Sequence, residues 1–207
     1  MSYIIAGLGN PGDEYDETRH NAGRMSADFF ARKNKFGEFE PNKKIQAHVS
    51  KGKLSSKGGS ASGGKKETVM VVLPNTYMNK SGLALKPLIG NAKAAERLIV
   101  IHDDLDLPIG RIKISFNKSS GGHRGVENII RNIKTEAFVR IRIGISKANA
   151  KGIVKKPSGE DAVNDFIIGK FKPPEFLLFK KELKKVSEAI EMIILEGRER
   201  AMGEFNR

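Results

Sequence analysis

Three short apolar runs limit what this chain can fold into. Tyr3–Ala6, Val69–Leu73 and Leu98–Ile101 are continuous runs of large apolar residues, too short for helices, and read as buried strands. Phe138–Ile145 alternates, as does Arg111–Phe116, so both read as half-buried strands. Helical stretches separate them. One runs from about Ala22 to Lys35, with Asn21 as its candidate cap, Met25, Phe29 and Phe30 on one face, and Gly37 as its stop. Others cover about Gly125–Ile133 and Asp161–Ile168. The last opens at Pro173 and Pro174, where Phe179, Leu183, Val186, Ile190 and Ile193 step by four and three into one stripe, and Gly197 weakens or ends it. Ser81–Ala95 has a helical pattern interrupted by Pro87 and Gly90, so it is kinked or split. Strands alternating with helices predict an α/β fold: one domain over residues 1–207, with a mixed, mostly parallel, twisted sheet and helices on both faces. Ile45–Leu54 alternates weakly and forms a hairpin with Val69–Leu73. The Gly/Ser/Lys stretch between them, about residues 55–66, has nothing to bury and reads as a mobile loop.

Charge narrows the partner. Lys and Arg number 37 against 24 Asp and Glu, a formal net charge of +13, the usual footprint of a polyanion such as nucleic acid. There is no cysteine, which excludes thiolate nucleophiles, disulfides and sulfur-built metal sites. The first residues, MSYIIAGLGNPG, lack a basic n-region, and no apolar run approaches the ~18 residues that span a bilayer. The expectation is a cytoplasmic protein, monomeric by default.

Two glycine motifs fail on context. Gly7, Gly9 and Gly12 have the dinucleotide-binding spacing after a strand, but Asp13, Glu14 and Asp16 follow and would repel a pyrophosphate. Pro11 also removes a donor from the turn. Gly59–Lys66 resembles a phosphate loop, but Lys stands where Ser or Thr should hold magnesium. No G-x-S-x-G elbow occurs, which argues against an ordinary serine hydrolase.

The histidines hold the remaining acid–base chemistry. His48 lies in an unremarkable strand, and His102 ends a buried one, as a core histidine bonded to backbone does. His20 stands in Thr18-Arg19-His20-Asn21, just before the first long helix, and His123 stands in a glycine-flanked loop. Open α/β sheets place their sites at the carboxyl ends of strands. Three such ends deliver Asn10, Asn79 and Asp103 to one rim, with His20 close behind Asn10. A base, a carboxylate to orient it and two amides suit acyl transfer to water.

The blocks GLGNPG (7–12), Y-x-x-T-R-H-N-A-G (15–23), P-x-T-Y-M-N-x-S-G (74–82), HDDLDLP-x-G (102–110), GGHRGVENII (121–130) and R-x-R-x-G-I (140–145) closely resemble the bacterial-type peptidyl-tRNA hydrolases, in that family's order. The resemblance implies a cofactor-free and metal-free esterase that cuts the bond between peptide and tRNA. It implies His20 as general base, Asp103 as its orienting carboxylate, and Asn10 and Asn79 as amides that position peptide and water. Tyr15 and Met78 would line the acceptor-end cleft, and His123 would help to hold substrate beside Asn79. Family members clamp the tRNA 5′-phosphate with two cations. Arg142 fits one of them, whereas Ser115 stands at the other position with Lys113 and Lys118 on either side. Arg124 replaces the family's usual asparagine; it cannot accept a hydrogen bond but can grip phosphate, so its expected role shifts toward phosphate or sugar. A non-catalytic RNA-binding module on the same fold is the alternative, and retention of His20 with Asp103 argues against it. Whether the lysines of residues 51–66 touch tRNA stays open.

Overall fold

The parallel runs pair as their apolar content demands. In the computed structural model, which describes residues 2–56 and 66–207, β1 (Tyr3–Gly7) leads to α1 (Ala22–Lys33), and β2 (Glu40–Asn42) to the hairpin of β3 (Ala47–Ser55) and β4 (Lys66–Pro74). Then come α2 (Ser81–Leu85), α3 (Ala92–Ala95), β5 (Leu98–Pro108), β6 (Ile112–Phe116), α4 (Arg124–Ile133) and β7 (Val139–Ala148). The chain closes with β8 (Val154–Lys155), α5 (Glu160–Ile168), α6 (Pro173–Leu195) and α7 (Arg198–Phe205). Sheet order is β2-β3-β4-β1-β5-β7-β6, with β8 paired to β7. The central strands β4, β1, β5 and β7 run parallel, and the flanking pairs are antiparallel. The hairpin closes at the Ser55–Lys66 pair. Residues 57–65, most of the expected mobile loop and of the Gly59–Lys66 motif, lie outside the described residues.

Helices cover both faces, because the central strands are apolar on both. Ile5, Ile99, Ile101 and Ile141 pack against Phe30 of α1 and Phe179, Val186 and Ile190 of α6. Ala6, Val72, Leu98 and Val100 face Leu85 of α2, Ala95 of α3 and Ile129 of α4. Each of the Val, Leu, Ile and Phe side chains among them contributes roughly 1.5–3 kcal/mol when fully buried. That burial explains α2 and α3, which are far too short to form alone. Ala84, Leu85 and Ala95 are completely buried, and the Ser81–Ala95 segment splits at Pro87 as its sequence predicts. None of the described helices is long and apolar enough to cross a membrane.

Two expectations need correction, and one at Gly197 holds. The Leu98–Ile101 run continues as strand to Pro108, because β7 keeps pairing with it through Asp104 and again at Pro108. Asn21 makes no side-chain cap; its amide instead holds the Asn10 backbone, accepting from the Asn10 N–H at 2.8 Å and donating to its carbonyl at 3.0 Å. Gly197 (φ 104°) ends α6 in a left-handed turn, after which α7 begins.

Helix α6 also carries Glu182 into the interior, only 1% exposed. Burial pushes its carboxyl up to about 8, against the weaker pull of the Gly110 backbone and Lys185. A raised carboxyl binds a proton in the folded chain that the unfolded chain has released. Stability from this group therefore falls as pH rises from its ordinary value of 4.5 toward 8. Glu182→Gln is expected to stabilise the fold by on the order of 1–3 kcal/mol at pH 8 and by little at pH 5. Thermal melts at the two pH values check this; equal gains at both would contradict it.

Candidate active site

Asp103 lies where the core pattern of β5 is interrupted. Ile99 and Ile101 point to the α1 face, and alternation puts Asp103 next on that face. β1 ends at Gly7, opposite Ile101, so beyond that point β5 keeps only β7 as a neighbour. The open flank is filled by the turn leading into α1. That helix can come close only because residue 23 is glycine: a Cβ there would stand 2.1 Å from the Ile101 carbonyl oxygen. Three residues earlier, His20 hangs over the carboxylate with Nδ1 3.0 Å from both Oδ1 and Oδ2 of Asp103.

Arg19 fixes the same turn. Its Nη1 donates to the carbonyls of Phe166, Gly169 and Lys170, and its Nη2 to Glu175 Oε2 at 2.7 Å. In the sequence nothing marks Arg19 beyond its place next to His20.

His123 is the N-cap of α4. Its Nδ1 accepts the Val126 N–H at 3.2 Å, so the proton is on Nε2, which donates to Asp103 Oδ1 at 3.0 Å. His20 must likewise donate from Nδ1, which leaves its Nε2 lone pair free. His102, on the opposite face of β5, bonds its neighbour's backbone carbonyl at 2.7 Å, as its sequence setting predicts. Burial, with His123 and Arg140 nearby, drives it well below its usual range, so it stays neutral. Burial alone would raise the Asp103 carboxyl, but the electrostatic pull of His20 and His123 and the hydrogen bonds they donate outweigh it and hold the carboxyl well below the ordinary range. Asp103 is therefore ionised. His20, Asp103 and His123 also bring three donor atoms within 4.8 Å, a spacing open to a metal ion. Ligation through His123 Nε2 would move its proton to Nδ1, against the Val126 N–H, and forfeit the helix cap. The protonation pattern thus fits a hydrogen-bonded triad better than a metal centre.

The other rim residues converge by short links. Asn10 Oδ1 accepts the Met78 N–H at 2.9 Å, which draws the turn carrying Asn79 to the Asn10 loop and leaves Asn10 Nδ2 as the donor end. Asn79 is exposed. Met78 is buried beneath the rim; a Cβ on Gly125 would lie 2.5 Å from its Sδ and 3.1 Å from His123 Cε1. Tyr15 meets the exposed Tyr77 edge to face, with ring centres 6.5 Å apart. Arg24 donates to the Pro74 carbonyl at 2.8 Å and ties two strand ends together.

A cavity of about 580 Å³ opens from His20, Asp103 and His123 toward α5, lined by Leu105 of β5 and by Val163 and Ile167 of α5. Arg124 borders it and is paired with Glu160. Arg142 stands apart on β7, with Nε 2.5 Å from Asp104 Oδ2. Lys113 is its cross-strand partner, and Ser115 lies opposite the buried Arg140. Lys118 is exposed beyond β6.

The family model described as peptidyl-tRNA hydrolase matches residues 4–207. A relative named peptidyl-tRNA hydrolase from Carboxydothermus hydrogenoformans is 39% identical over 99% of this chain and 98% of its own length. One of the same name from Thermoanaerobacter sp. is 40% identical over 99% of each chain. The crystal structure of peptidyl-tRNA hydrolase from Acinetobacter baumannii superimposes with a TM-score of 0.82 at 27% identity, covering 99% of this chain and 94% of that one.

Proposed function

The chain belongs to the peptidyl-tRNA hydrolase family and is a hydrolase, and on that premise we propose that His20 is the general base that directs water at the ester between peptide and tRNA. The observation that carries this reading is the protonation pattern around Asp103: His20 Nδ1 donates to the carboxylate, so Nε2 presents a lone pair on the cavity side. His20 Nε2 takes a proton from water as the water oxygen attacks the ester carbonyl carbon. The tetrahedral intermediate collapses by breaking the bond to the tRNA 3′ oxygen, which receives the proton back from His20. The products are the peptide carboxylic acid and a free 3′ hydroxyl. A positioned base of this kind contributes about 10²–10⁴-fold.

Asp103 holds the tautomer and balances the imidazolium, and His123 acts through it. With both ring nitrogens engaged within the protein, His123 is a positioning residue for the carboxylate. Asn10 Nδ2 and the Asn79 amide supply donors for the peptide and the developing oxyanion, the latter worth a few kcal/mol. Tyr15 with Tyr77 walls the acceptor-end side over Met78. The tRNA end is read by charge. Arg142 and its cross-strand neighbour Lys113 form the 5′-phosphate grip on the acceptor stem. Lys113 shares a face with Ser115 and so supplies the cation that Ser115 lacks, with Lys118 beside it.

Hydrolysis in ¹⁸O water tests the step. Under single-turnover conditions the released peptide carboxylate gains one ¹⁸O and the tRNA gains none. Label in the tRNA hydroxyl would contradict attack at the carbonyl, and tight tRNA binding without release would make the protein a binding module.

A further inference from the structure

Residues 156–159 line the cavity and lead into α5, and two ion pairs fasten this junction there. The Arg124 guanidinium, at the start of α4, meets the Glu160 carboxylate at the start of α5. The Lys156 ammonium meets the Asp106 carboxylate of β5 at 2.5 Å. All four groups line the cavity that contains His20 and Asp103, and all four side chains are more than half exposed. Arg124 and Lys156 are the only Arg and Lys side chains among its described lining residues.

The substrate is an ester at the 3′ end of a chain of phosphodiesters. Phosphate suits both cations, the guanidinium as a two-pronged donor and the ammonium as a compact charge. In the free protein a carboxylate already occupies each one. We propose that Glu160 and Asp106 occupy Arg124 and Lys156 as stand-ins for phosphate, and that the 3′-terminal phosphodiesters of tRNA displace them. The inference rests on the function proposed above. Exposed ion pairs are individually weak, so a polyanion exchanges for them at small cost. An ester without phosphates offers neither cation an anion and leaves both pairs closed. The two carboxylates thereby hold both cations in the cleft and temper its affinity for tRNA without changing that for a small ester.

The test measures the affinity of the whole protein for deacylated tRNA at low salt, which does not depend on turnover. Glu160→Gln and Asp106→Asn are each expected to tighten binding about two- to fivefold, the range an exposed pair is worth. In an Arg124→Gln background the gain from Glu160→Gln should vanish. A parallel assay compares KM for N-acetylaminoacyl-tRNA with KM for an N-acetylaminoacyl ester of adenosine, and the preference for the tRNA substrate should rise in the Glu160→Gln protein. Unchanged or weaker tRNA binding in both carboxylate variants would overturn the proposal, as would a gain that survives Arg124→Gln. If no protein turns over either ester, the functional reading fails while the binding data still decide this one.

Discussion

Asp103→Asn is expected to lower kcat on the order of 10²–10⁴-fold while leaving the fold intact. The carboxylate receives two N–H donors, from His20 Nδ1 and His123 Nε2, and both reach Oδ1 at 3.0 Å. Asparagine offers one acceptor oxygen and one amino group in place of two acceptor oxygens. Val126 fixes the tautomer of His123, so His123 keeps its claim on the oxygen. His20 is then driven to accept from the asparagine amino group, which moves its proton to Nε2 and removes the lone pair that activates water. The variant also loses the negative charge that stabilises the imidazolium. Steady-state kinetics should show the loss in kcat with KM nearly unchanged. A loss confined to KM would mean that Asp103 serves substrate binding rather than the base. Thermal melting separates both outcomes from unfolding.

Much of this arrangement was legible in the residues themselves. The apolar runs located β1, β4 and β5, the alternation of Phe138–Ile145 located β7, and the four-three stripe from Phe179 to Ile193 located α6, whose stripe residues lie in or against the core. Placing Asn10, Asn79 and Asp103 at strand ends put them on one rim. The limits are equally physical. Asp103, Asp104 and Asp106 break the apolar run of β5, so the strand seemed to end at Ile101, although backbone pairing with β7 carries it to Pro108. β2 and β8 are three and two residues long, and nothing local marks them. The bond between His123 and Asp103 spans 20 positions. The resemblance assigned His123 to substrate, and only the geometry of the α4 cap turns it toward the carboxylate. Glu160 and Lys156 carried no signal at all, because their partners depend on how α5 returns over the cleft.

His20→Ala should abolish turnover almost completely. No other described group can replace it: His102 is buried and held neutral with its Nδ1 on backbone, and both nitrogens of His123 are occupied. The remaining amides and cations still bind substrate, so affinity for tRNA should survive. Removing the ring also frees Asp103 of only one of its two partners, and His123 keeps the carboxylate in place, so the fold should persist. The most direct measurement is release of the amino acid from N-acetylaminoacyl-tRNA by the wild-type protein and by His20→Ala, with unblocked aminoacyl-tRNA as control. The account predicts rapid release of the blocked amino acid by wild type, little from the unblocked substrate, and a fall of at least about 10²-fold in the variant. Equal release by the two proteins, or tight binding without release by wild type, would contradict it.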